Sequence, residues 1–209
     1  MLAIDEAFPG AVAAVMRTDD AEVAYQACAA AARAGIRTLE VTTSVPDHLE
    51  VVGRLAAETG IPVGVGTVMN PAAAEAAAAA GAAFVVTPVL LPDVADACRR
   101  LDVLCVLGAL TPTEIHLALQ AGAGIVKIFP IASVGGPRYV QLVTAPLGPV
   151  PLWVSGGVEI DDIEGYLRAG VRAVGLTTAV FPEAALKARD YVTVADLARR
   201  AAALAPARV

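Results

Sequence analysis

The sequence predicts a parallel α/β barrel of eight strand–helix units, a (β/α)8 TIM barrel, within a single domain over residues 1–209. Three observations carry this. Alanine-rich stretches of helical character stop repeatedly at a glycine and run straight into a β-branched segment. The glycines that end them recur at intervals of roughly twenty to twenty-five residues, or about twice that, which is the length of one βα unit. The chain is also 57% hydrophobic with few aromatics, and its mean hydropathy of +0.66 suits strands buried on both faces rather than a half-exposed sandwich. An open, doubly wound sheet built from the same units is the alternative, since a repeat count does not establish closure.

The elements follow in order. The first strand is AVAAVMR, residues 11–17, and Thr18-Asp19-Asp20 after it supplies side-chain oxygens suited to a helix N-cap. ARAG ends that helix at Gly35, IRTLEVT (36–42) is the second strand, and Val45-Pro46-Asp47 opens the next helix. ETG at Gly60 leads into a strand at 62–67, after which Asn70-Pro71 pairs a cap with an N1 proline. AAAG at Gly81 precedes a strand at 83–87, and a strand at 103–108 leads to the cap Thr111-Pro112-Thr113-Glu114. LQAG at Gly122 hands over to a strand at 124–129. Strands at 151–155 and 173–177, separated by Glu159-Ile160-Asp161-Asp162 and by LRAG at Gly170, complete the set. A last helix is expected from about Glu183 to Leu204. At each named joint glycine takes the left-handed conformation that ends a helix cheaply.

Composition excludes several function classes. The net charge of −6 disfavours nucleic acid as a partner and leaves room for a local cationic site that binds an anion. The longest uncharged run, 139–158, is broken by Pro146, Pro149, Pro151 and Gly148, so it makes no continuous spanning helix, and no membrane partner is expected. The opening MLAIDEAFPG carries two acids and no basic residue, unlike a secretory leader, and a cytoplasmic protein is expected. Cys28, Cys98 and Cys105 are odd in number with no CxxC, and read as buried small hydrophobes in a reducing compartment. His48 and His116 stand alone, which gives a histidine metal site little support.

The chain has only two lysines, Lys127 and Lys187, and the first lies inside the apolar run AGIVKIFP. In a barrel the active site lies at the C-terminal ends of the strands, and period-2 alternation sorts the side chains. Leu39 and Val41 then face the helices while Thr38, Glu40 and Thr42 point into the barrel. Val126 and Ile128 take the helix side while Ile125, Lys127 and Phe129 point inward. An inward glutamate and an inward lysine need each other or a substrate. The plain alternative is a buried ion pair kept for structure, which is often no more stabilising than apolar residues. The functional reading is an imine-forming lysine. Its amine must be unprotonated to attack a carbonyl, desolvation favours that form, and Glu40 would move the protons.

Other strand ends add polar groups. Thr67 ends VGVGTV, Gly156-Gly157 in VSGGV precede a helix, and Thr177 ends VGLT. The loops after strands seven and eight are where barrels of this kind bind phosphate. Arg17, ending the first strand, is a candidate anion ligand, with an ordinary surface charge as its alternative.

The segments GIRTLEVT, GVGTVMNP, FVVTPVLLP, LGALTPTEI, GIVKIFP and VSGGV, in this order and spacing from about Ala11 to Pro182, resemble a known enzyme family. It is the class I 2-keto-3-deoxy-6-phosphogluconate (KDPG) / 4-hydroxy-2-oxoglutarate aldolases, including the 2-dehydro-3-deoxy-6-phosphogalactonate relatives. The resemblance implies a homotrimeric barrel that splits a 2-keto-4-hydroxy acid, a small-molecule substrate, into pyruvate and an aldehyde. No metal or other cofactor is expected, because the protonated imine is the electron sink. By the same resemblance Lys127 matches the Schiff-base lysine, Glu40 the general acid/base, and Thr67 a residue holding the pyruvyl carboxylate. Gly156 and Gly157 with Thr177 match the phosphate end, and Arg17 matches an arginine at the first strand end. Phe129, inward beside the lysine, joins the expected substrate-binding residues.

One departure bears on substrate. KDPG-type members read EVTLRT, whose arginine helps bind the carboxylate, whereas here EVTTSVPD places Ser44 there. The galactonate-type relatives also have a neutral residue at that place, and KIFPIASVGGPRYV resembles their segment after the lysine. Retro-aldol cleavage is therefore expected, with the sugar acid left open. Two rival readings stay in view. One is a phosphosugar isomerase or epimerase using Glu40 as base and Lys127 as an electrostatic clamp. The other is a phosphometabolite-binding barrel without turnover, motivated by Ser44.

Overall fold

The eight strands close into a parallel barrel in sequence order, in a computed structural model that describes residues 2–205. They are β1 (Val12–Met16), β2 (Leu39–Thr42), β3 (Val63–Gly66), β4 (Phe84–Val86), β5 (Leu104–Ala109), β6 (Ile125–Ile128), β7 (Leu152–Ser155) and β8 (Ala173–Leu176). β8 pairs back with β1 through Val12↔Val174, Ala13↔Gly175 and Ala14↔Leu176. That closure removes the edges and excludes the open sheet. β2 starts later than expected because the Ile36 N–H turns back to the Ala31 carbonyl (3.1 Å), so the chain is still closing the preceding helix.

The helices start and stop where the local chemistry indicates, with exceptions. Asp20 caps α2 (Ala21–Arg33) by accepting the Val23 N–H at 2.9 Å. Asn70 caps α4 (Pro71–Ala79) by accepting the Ala73 N–H at 2.9 Å, and Thr111 with Glu114 forms a capping box on α6 (Pro112–Gln120). Gly35, Gly60, Gly81, Gly122 and Gly170 all have φ between 66° and 113°. Asp47 does not cap α3 (His48–Thr59). A turn from the Val45 N–H to the Thr42 carbonyl (3.0 Å) precedes it, and Asp47 enters at φ 51° with no side-chain cap. The single helix expected from Glu183 to Leu204 is two, α9 (Glu183–Ala188) and α10 (Tyr191–Leu204). Arg189 adopts φ 52°, and Asp190 accepts the Thr193 N–H (3.0 Å) and hydroxyl (2.6 Å), so a new N-cap competes successfully with continuation.

The sequence reading also missed α1 (Ile4–Ala7), which closes the N-terminal end of the barrel. Behind it Ala7 and Phe8 are fully buried and join Phe84, Leu104, Ile125 and Trp153 in an inner core. The Phe8 ring lies 4.9 Å from that of Phe84 and 5.2 Å from that of Trp153. Arg172 ties the segment down, donating from Nε to Asp5 Oδ1 (2.9 Å) and from Nη2 to the Phe8 carbonyl (2.6 Å). Glycines on neighbouring strands make room for these rings: a Cβ at Gly64 would lie 2.2 Å from Phe84. Leu39, Val41, Val126 and Ile128 pack in the outer, barrel–helix layer, as the alternation predicts.

Among the described residues the three cysteines are free and buried. Burial pushes the Cys28 thiol up, and a hydrogen bond between Cys98 and Cys105 lowers the first and raises the second. Among the described residues no helix is long and apolar enough to cross a membrane.

Candidate active site

Strands β2 and β6 present Glu40 and Lys127 toward the same interior. Lys127 Nζ lies 3.6 Å from Glu40 Oε2, with the residues 7% and 1% exposed. Neither carboxylate oxygen of Glu40 has a hydrogen-bond partner among the described residues. Gly66 is what lets the carboxylate sit there, since a Cβ at that position would lie 1.8 Å from Glu40 Oε1. A buried pair held by charge alone, without the hydrogen bonds that would repay desolvation, is a poor stabiliser. Its unpartnered oxygens are instead free to accept a proton from a bound hydroxyl.

Both groups open on a cavity of about 330 Å3 at the C-terminal ends of the strands. Arg17, Thr67, Phe129, Gly156, Gly157 and Thr177 line it with them, so the structure brings together every residue anticipated for the site except Ser44. That hydroxyl does not line the cavity but accepts from Arg17 Nη1 at 3.2 Å. The arrangement has a direction. Thr42 Oγ1 donates to the Met16 carbonyl (3.0 Å), so it accepts from Ser44 (2.8 Å), and Ser44 accepts from Arg17. Arg17 Nη2 donates to Thr67 Oγ1 at 3.0 Å, and Thr67 itself sits at φ 62°. Two hydroxyls thus hold the guanidinium at the mouth beside Thr67.

At the other end of the cavity Gly156 and Gly157 have φ of 93° and 76°. A Cβ on Gly156 would lie 2.9 Å from Phe129 Cδ2, and one on Gly157 would lie 2.7 Å from Ala132. Bare backbone is therefore what this wall offers.

Val15, Pro88, Ser155 and Thr178 also line the cavity and were not singled out from sequence. Two of them were within reach of it: alternation places Val15 on the side of Arg17 and Ser155 on the side of Trp153. Pro88 reaches the cavity through a turn in which Thr87 Oγ1 donates to the Val89 carbonyl (2.6 Å) and accepts the Gly108 N–H (3.1 Å). Thr178 follows the strand, where no periodicity applies.

Three larger clefts lie elsewhere. One of about 570 Å3 adjoins the cavity through Arg17, Thr177 and Thr178. One of about 870 Å3 lies at the opposite end, around Asp5 and Arg172, and one of about 400 Å3 lies between α2 and α10. None contains the Lys127–Glu40 pair, so chemistry rather than volume selects the smaller cavity.

The family model described as "Aldolase: KDPG and KHG aldolase" matches residues 5–197. The chain belongs to that aldolase family. It is 31% identical to the 2-dehydro-3-deoxy-phosphogluconate aldolase of Dickeya dadantii, over 95% of this chain and 93% of that protein. Among solved structures, the KDPG aldolase of Zymomonas mobilis superposes with a TM-score of 0.87 at 26% identity, covering 99% of this chain and 98% of that one. The KDPG aldolase of Legionella pneumophila, with pyruvate captured as a covalent carbinolamine, superposes at 0.83 with 26% identity, covering 94% and 95%. The KDPG/KHG aldolases thus match this chain across its whole barrel, including every strand that contributes to the cavity.

Proposed function

We propose that this chain is a class I aldolase that cleaves a 2-keto-3-deoxy-6-phospho sugar acid, 4-hydroxy-2-oxoglutarate, or both. The products are pyruvate and an aldehyde, glyceraldehyde 3-phosphate or glyoxylate. The observation that carries the reading is the buried Lys127 nitrogen, 3.6 Å from the Glu40 carboxylate and open to one cavity. The Dickeya, Zymomonas and Legionella relatives support it.

In this reading Lys127 adds to the C2 ketone, and the carbinolamine loses water to give a protonated imine. Glu40 takes the proton from the C4 hydroxyl, the C3–C4 bond breaks, and its electron pair moves into the imine as an enamine. The aldehyde leaves, C3 regains a proton, and hydrolysis frees pyruvate and the lysine. Because the imine takes the electrons, no metal is assigned to the reaction. Arg17 and Thr67 bind the substrate carboxylate, with Ser44 acting through Arg17 where an arginine would stand in the KDPG type. Gly156, Gly157, Thr177 and Thr178 receive the distal phosphate, and Phe129 covers the methylene carbon. We also propose a cytoplasmic homotrimer, in keeping with the exposed Met69, Val89 and Phe129 near the barrel mouth.

Borohydride added with pyruvate is expected to leave a reduced adduct on Lys127 that a peptide map locates. Release of pyruvate, followed by a lactate dehydrogenase couple, is then compared across phosphogluconate-type, phosphogalactonate-type, unphosphorylated and hydroxyoxoglutarate substrates. An isomerase releases no pyruvate and a binding protein turns nothing over. An active preparation whose Lys127 stays unmodified removes the imine mechanism.

A further inference from the structure

The chain's one tryptophan stands where a simpler residue would fold more easily. Trp153 is fully buried inside the barrel, and its indole N–H finds no acceptor among the described residues. A desolvated donor left unpaired works against folding, and phenylalanine or leucine would fill space there without that penalty. The neighbouring strand accommodates the ring, since a Cβ at Gly175 would lie 2.4 Å from Nε1. Besides Phe8 and Phe84, the ring meets Lys127. Its Nζ lies 5.2 Å from the Trp153 ring centroid and 5.6 Å from that of Phe129. Both are within the range at which an aromatic face attracts a cation.

We propose that Trp153, together with Phe129, brackets the Lys127 nitrogen so that two ring faces stabilise the positive charge of the protonated imine. The inference rests on the imine reading of Lys127 and adds to it a pair of groups whose contribution does not titrate. That property matters while the charge lasts. The nitrogen is a cation from the loss of water out of the carbinolamine until the C3–C4 electron pair enters the imine and leaves a neutral enamine. Glu40 is its counter-ion only while it is a carboxylate. Among the described residues the charged side chains lining the cavity are Arg17, Glu40 and Lys127. The Arg17 guanidinium is itself positive, so it opposes the imine charge. The ring faces support the cation over that interval whatever the state of Glu40, and so raise the share of enzyme held as the protonated imine that cleavage consumes. Their benefit appears once the imine has formed rather than in the attack that forms it.

The test uses the full-length enzyme and three variants, Trp153→Leu, Phe129→Leu and Trp153→Phe. It reads kcat for pyruvate release and the fraction of Lys127 that borohydride traps with pyruvate, both across pH. Each leucine variant is expected to lower kcat about three- to thirty-fold. The alkaline limb of trapping should move to lower pH, because the protonated imine that borohydride reduces loses support. Trp153→Phe keeps a ring face and should fall between them and the unaltered enzyme. Phe129 is 39% exposed, so its variant gives an answer even where Trp153→Leu does not fold. Unchanged kcat and trapping profiles in the folded leucine variants overturn the bracketing and leave the imine reading intact. A raised KM alone, or lowered thermal stability alone, overturns it equally. No trapping in the unaltered enzyme overturns both.

Discussion

Glu40 is the residue whose surroundings make least sense without a substrate. Its oxygens are buried without hydrogen-bond partners among the described residues, and it is ion-paired with the Lys127 nitrogen at 3.6 Å. Glu40→Gln keeps the shape and removes the base. Pyruvate release is expected to fall about 10²- to 10⁴-fold, while borohydride still finds Lys127 in the presence of pyruvate. A rate within about tenfold of the unaltered enzyme counts against Glu40 as the proton carrier. Both residues were legible in the sequence, because strand alternation alone decides which face a side chain takes. The partners of Arg17 were not. Ser44 and Thr67 lie 27 and 50 residues away in sequence, and only the barrel brings three strand ends to one mouth. An arginine at the end of a strand is equally compatible with solvent until those hydroxyls are placed.

At the scale of elements, caps decide boundaries, and caps can be tested one at a time. Glu114 Oε2 accepts from the N–H groups of Leu110 (2.9 Å) and Thr111 (2.7 Å) and from the Thr111 hydroxyl (2.9 Å). Those donors, the Leu110 N–H foremost, hold its carboxyl below the usual carboxylate range. The unfolded chain therefore binds the proton first as pH falls. The charged cap contributes in full above the ordinary carboxylate value of about 4.3 and is lost as pH drops through the lower folded value. Glu114→Gln is expected to lower Tm by about 1–3 °C at neutral pH. The gap to the unaltered protein should close between about pH 5 and pH 3, and a gap independent of pH would assign it to shape instead. The N-terminal turn is a second case. Asp5→Ala leaves the buried Arg172 guanidinium without its carboxylate, although Asp5 is itself 84% exposed. Solvent screening limits the expected loss to about 1–2 kcal/mol, or about 2–8 °C in Tm, and calorimetry at low and high salt would show it. This element escaped the sequence reading because four residues are too few to display a helical period. The break between α9 and α10 escaped because an aspartate inside an apparently continuous helix becomes a cap only when the chain turns before it.

At the scale of the whole molecule, the inner and outer cores meet through every strand, so the barrel should unfold as one unit. Trp153 fluorescence reports the inner core and far-UV circular dichroism reports the outer helices. Their denaturant midpoints are expected to coincide, and separated midpoints would divide the chain into independent layers. The sequence by itself determined the repeating βα unit, the inward set that includes Lys127 and Glu40, and the glycine joints between helix and strand. Each of these depends on residues a few positions apart. The tertiary structure alone decided closure of the barrel, the floor built from Phe8, Phe84 and Trp153, and the hydroxyl pair that holds Arg17. Those depend on contacts between distant strands, and local periodicity carries no information about which distant groups a closed sheet brings within hydrogen-bonding or ring-contact distance.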